Sequence, residues 1–120
     1  MWYPTIHAKK FLNTALNLSA SGQEQDWEIE LADHRRIKEL IDFYAKSDLP
    51  QDCEEALVAL ILASFEDAIW VSQFDEEQWH RFSAGLLSNY SRLENVLTPW
   101  ATNDDNDEFA ISKRVRALLT

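Results

Sequence analysis

Cysteine occurs once in these 120 residues, glycine twice and proline three times, and Lys and Arg number 11 against 21 Asp and Glu. Each shortage excludes something. A lone Cys53 cannot close an internal disulfide, and Gly22 and Gly85 are too few and too far apart for a phosphate-cradling loop. Neither a charged-then-apolar leader nor an apolar run of membrane-spanning length is found, so a cytosolic protein is expected. A net charge of -10 at pH 7 works against binding nucleic acid or an anionic membrane.

What the chain has is apolar mass and acid. It is 46% hydrophobic, with five Trp and six Phe, which suits one core and one domain spanning residues 1–120. Most of those rings belong inside. The charge is uneven: residues 24–55 hold eleven acids and four bases, whereas residues 109–120 hold three bases and no acid. Such a field steers a basic partner toward an acidic face.

Helical spacing dominates. Asp52–Val71 is the organising element, with Cys53, Leu57, Ile61, Phe65, Ala68 and Ile69 on one face and no charge from Ala56 to Phe65. Ala59 and Ala63 allow a neighbour to approach closely on another side. Before it, Asp33 caps a helix carrying Ile37, Leu40, Ile41 and Tyr44. After it, Asp75 with Gln78 forms a capping box ahead of Trp79, Phe82 and Leu86. Ser91 with Glu94 repeats the device before Leu93, Val96 and Leu97, and Pro99 is expected to interrupt or re-aim that helix. Residues 5–18 read as a helix with no strong stop before Ser19–Gly22, and Ile111, Val115 and Leu118 mark a closing helix. In Asp26–Leu31 acids alternate with apolar residues, which favours a short extended segment. The expected fold is all-α: a single compact bundle of five or six helices, with one short extended segment near residues 26–31.

No constellation of catalytic spacing emerges. Asn103–Glu108 is rich in carboxylates, but a calcium loop counted from Asp104 would need Gly where Phe109 stands and Glu where Val115 stands. Glu77 and His80 have the Glu-x-x-His spacing of a di-iron bundle without its second copy, and His7 and His34 lack ligand neighbours in the sequence. Cys53 could act as a nucleophile with a His beside it in the fold, yet its acidic neighbours and its phase with Leu57 predict a buried, inert thiol. Ser64 lacks a nucleophile elbow, and its hydroxyl is expected to bond the carbonyl of Leu60. The expectation is therefore no enzyme, no metal and no cofactor.

Glu66 and Asp67 lie near the C-terminal end of the central helix, where the helix dipole disfavours anions. Compensation by Lys113, Arg114 or Arg116 is one expectation; reception of a partner's cation is the other.

The stretch Leu62–Ala63–Ser64–Phe65–Glu66–Asp67, the following Trp79 and the tail Asp107–Glu108–Phe109–Ala110–Ile111–Ser112 resemble small helical bacterial proteins of toxin-immunity type. The resemblance covers the C-terminal two-thirds, rests on core and tail features, and carries over no functional residue. It implies a small, acidic, cytosolic bacterial protein. Acidity and resemblance together lead to the expectation of an immunity or antitoxin-type inhibitor that binds a basic toxin domain, such as a nuclease, with no nucleic acid or membrane partner. The contributing carboxylates would be Glu66, Asp67, Asp75, Glu76, Glu77, Asp104, Asp105, Asp107 and Glu108. The alternative is a helical adaptor that binds a protein through an apolar groove. Exposure separates them: an apolar patch containing Trp2, Tyr3, Trp70 or Trp100 favours the adaptor, and continuous carboxylates over buried apolar residues favour the inhibitor.

Overall fold

A computed structural model describes residues 2–101 and 109–119. It contains α1 (Ile6–Ala15), α2 (Trp27–Glu30), a 3-10 turn (His34–Arg36), α3 (Ile37–Lys46), α4 (Gln51–Trp70), α5 (Glu76–Ser88), α6 (Tyr90–Trp100) and α7 (Ser112–Leu118). The fold is an all-α bundle, with seven α-helices and no strand among the described residues. No helix among them is long and apolar enough to cross a membrane.

Because α4 carries no charge from Ala56 to Phe65, it can be covered on every side, and each of those residues is buried. The elements α1, α2, α3, α6 and the 3-10 turn all pack on it. Helix α5 joins through rings: Phe65 meets Trp79 edge-on at 5.2 Å between centroids and Phe82 at 5.8 Å. The Ser64 hydroxyl donates to Leu60 O (2.8 Å), as its position predicts, and also accepts from the amide of Asp33 (3.1 Å). One buried hydroxyl thereby ties the 3-10 turn to the central helix.

Helix α4 ends where Ser72 turns left-handed (φ 59), with its amide on Ile69 O and the Gln73 amide on Ala68 O (2.8 Å). That is a Schellman closure with serine where glycine is usual. Helix α1 ends in the same way at Asn17 (φ 51), with Asn17 N on Thr14 O and Leu18 N on Asn13 O. The stop signal is therefore Asn17, a residue tolerated in that region, and it comes before Ser19–Gly22.

Other boundaries also differ from the sequence expectation. Residues 26–31 are not extended: Asp26 O accepts from Ile29 N (3.0 Å) and Glu30 N (2.8 Å), and Glu30 reaches back to the Asp26 amide (2.8 Å). Only Trp27 of this segment is buried, its indole donating to Asn13 Oδ1 at 3.2 Å, so one helical turn satisfies the same sequence. Asp33 accepts from Arg35 N (3.0 Å) within the 3-10 turn, with α3 following at Ile37, and Asp75 caps α5 through Glu77 N and Gln78 N. Ser91 caps nothing, because α6 begins at Tyr90 straight after the single joining residue Asn89, whose side chain is spent on Gly85 O, Tyr44 Oη and Arg92. Pro99 does not interrupt α6. It stands in the last turn, so the one ladder bond it removes and the crowding of its ring fall at the helix end with only Trp100 still to follow, and Trp100 is held by stacking on Phe109 at 4.5 Å.

Candidate functional site

At the C-terminal end of α4 the two suspect carboxylates find partners that sequence spacing does not indicate. Glu66 accepts from the amides of Ala110 (3.1 Å) and Ile111 (2.8 Å) at the start of α7, and from Trp70 Nε1 (2.6 Å). Asp67 accepts from the amide and Nδ1 of His34 (3.0 and 2.8 Å), where the 3-10 turn begins. Each acid is misplaced with respect to its own helix dipole and well placed with respect to another element's free amides. Lys113, Arg114 and Arg116, the expected counter-ions, do not fill this role.

The remaining candidates divide. Asp75 is engaged in capping α5. Glu76 forms a two-pronged pair with Arg114 (2.9 and 2.5 Å), whose guanidinium also lies 4.3 Å from the centre of the Phe74 ring. The Arg114 hydrogen bonds hold the Glu76 carboxyl below its ordinary range. His80 lies 4.0 Å from Glu76, not beside Glu77. Glu77 alone of the described candidates has no side-chain partner among the described residues. Asp104, Asp105, Asp107 and Glu108 lie outside the described residues.

Between the committed acids stands an apolar feature. Trp70 is 76% exposed although its indole is tethered to Glu66, and Ile29 and Val71 near it are each 45% exposed. Trp70, Ile29, Ala32, Ala63, Trp100 and Phe109 line a pocket of about 180 Å³ with Glu66 and Asp67 at its edge. A ring held in one orientation while facing solvent has little rotamer freedom left to lose when another surface packs on it.

A larger pocket of about 390 Å³ lies among α3, α4 and α5. Its buried Glu54 accepts from Tyr44 Oη (2.9 Å) and Arg92 (3.3 Å), and Asn89 donates to the same phenol oxygen. Burial pushes the Tyr44 phenol up to about 12. These groups satisfy one another, which fits a structural network.

The structure also brings together residues that the sequence keeps apart. His7 Nδ1 lies 2.8 Å from Asp52 Oδ2 and 3.9 Å from Cys53 Sγ, so the absence of ligand neighbours for His7 holds only along the chain. Asp52 also accepts from Thr5 Oγ1 (2.6 Å), and the Thr5 and then His7 hydrogen bonds lower its carboxyl to about 2. Cys53 is buried, as its helical phase predicts, and desolvation followed by the Asp52 charge pushes its thiol up to about 11. Acid and thiol face the same ring nitrogen. A nucleophile arrangement needs them on opposite nitrogens, so that one orients the ring and the other loses its proton.

Comparison of the chain with family models, with curated proteins and with solved structures finds no match in any of the three.

Proposed function

We propose that this chain is a cytosolic binding protein rather than an enzyme, an immunity or antitoxin-type inhibitor that seats a basic toxin domain on the face around Trp70. The observation that carries the reading is the exposed, tethered indole beside a small apolar pocket on a molecule of net charge -10. Long-range attraction brings a basic domain in, and Trp70 anchors it. Glu66 and Asp67 belong to the framework of that face, so steering falls to Glu77 and the Asp104, Asp105, Asp107 and Glu108 tract.

The test is titration against the product of the neighbouring gene, with protection of cells as a second readout. Trp70→Ala should weaken binding by about 30-fold or more, the effect of losing a hot-spot residue worth about 2 kcal/mol. Replacing Asp104, Asp105, Asp107 and Glu108 by Asn and Gln should slow association and flatten its salt dependence. Protection indifferent to Trp70 and to salt would refute the reading.

The exposure of Trp70, Ile29 and Val71 also favours a second reading, a helical adaptor that receives a partner's apolar side chain. Binding lost with Trp70→Ala but independent of salt, to a partner that is no toxin, would select it.

A further inference from the structure

We propose that His7, Asp52 and Cys53 form a binding site for a divalent transition metal, zinc above all, where α1 meets the first turn of α4. Their ligand atoms, one imidazole nitrogen, one carboxylate oxygen and one sulfur, all lie within 4.8 Å of one another. Zinc bonds of about 2.0–2.1 Å to nitrogen and oxygen and about 2.3 Å to sulfur imply tetrahedral edges of about 3.3 Å (N to O) and about 3.6 Å (N to S). The observed N–O separation, 2.8 Å, is about 0.5 Å shorter than its edge and the N–S separation, 3.9 Å, about 0.3 Å longer, so a small shift of the imidazole away from Asp52 and toward Cys53 meets both. Asp52 and Cys53 are fixed in place on α4, while the His7 side chain is 64% exposed and free to make the adjustment.

The surroundings fit this occupant. Thr5 Oγ1 donates to Asp52 Oδ2 and accepts from the Ala8 amide (2.9 Å), so the cap of α1 also orients the carboxylate, as an outer-shell partner does. One carboxylate and one thiolate balance a divalent charge. As the metal–sulfur bond forms, the thiol proton leaves to solvent; neutral His7 gives its Nδ1 lone pair and keeps its proton on Nε2. Mixed N, S and O donors suit zinc and cobalt, whereas calcium and magnesium require oxygen alone. Three protein ligands leave a fourth position, open on the exposed His7 side, for water.

Untagged, reduced, chelator-stripped protein titrated with Co²⁺ tests the site. A one-to-one complex should show tetrahedral cobalt bands and a thiolate charge-transfer band in the near ultraviolet, both displaced by zinc. Cys53→Ser should abolish the charge-transfer band. His7→Ala, at an exposed position that leaves the fold intact by circular dichroism, should weaken affinity by more than the ~10–100-fold that loss of an outer-shell partner causes. Zinc should raise the melting temperature of wild type and not of His7→Ala, because the ion binds the folded junction. No cobalt–thiolate band in folded wild type, or equal affinity in His7→Ala, would overturn the proposal.

Discussion

Glu66→Ala removes the carboxylate that closes the start of α7. The Ile111 amide is buried and would lose its only acceptor among the described residues, at about 1–3 kcal/mol for a stranded donor. The Ala110 amide faces water and recovers most of its loss. Loss of a negative charge at the start of α7 costs about 0.3–1 kcal/mol, and relief of the same charge at the end of α4 returns a similar amount, so the two dipole effects cancel. The net expectation is about 2 kcal/mol. With a urea slope of about 1–3 kcal/mol per M, the unfolding midpoint should fall by about 1 M without a change in slope. Glu66→Gln keeps an acceptor but not the charge and should lose about half as much, because charge-assisted bonds are roughly twice as strong as neutral ones. Hydrogen exchange should show the loss concentrated in residues 109–119. Both variants unfolding at the wild-type midpoint would refute the argument and return Glu66 to the pool of residues available to a partner.

Two further changes probe the backbone and the charge. Ser72→Gly should stabilise the protein by about 0.5–1 kcal/mol in denaturant melts, since relief of left-handed strain of about 1–2 kcal/mol exceeds the added entropy of unfolded glycine; a loss of stability would show that the Ser72 side chain matters more than its φ. Glu28 is half-buried with no side-chain partner among the described residues, and desolvation, with the Asp26 charge adding to it, raises its carboxyl above the ordinary value. A raised carboxylate penalises the fold most once it is ionised, above its folded-state value, and the penalty fades as pH falls toward the unfolded value. Glu28→Gln should therefore melt higher than wild type at pH 7 and converge with it near pH 4; a lower melting point at pH 7 would contradict this.

The central helix was legible because an uncharged stretch as long as Ala56–Phe65 has no alternative to burial, and its bounds fall within one residue of the spacing-based reading. The cap at Asp75 was legible because capping is local. Residues 26–31 misled because period-two alternation over six residues also fits one helical turn with a single buried Trp. The site was illegible for a different reason. Glu66 meets Ile111 across 45 positions and His7 meets Cys53 across 46, so nothing in either neighbourhood announces the other. What composition did announce, an acidic surface, says nothing about which carboxylates the fold has already committed.

The placement of α4 at the middle of the chain bears on how the protein is made. Helix α4 emerges from the ribosome with α1, α2 and α3 available to cover one side, while the side covered by α6 waits for the thirty residues that separate Trp70 from Trp100. At about 5–20 residues per second that interval is about 1.5–6 s, long compared with collapse in microseconds. Through it the nascent chain presents an apolar flank that carries no charge of its own between Ala56 and Phe65. A chain stopped before α6 should therefore self-associate through that flank more readily than the whole protein does, even though residues 24–55 already supply eleven of its acids.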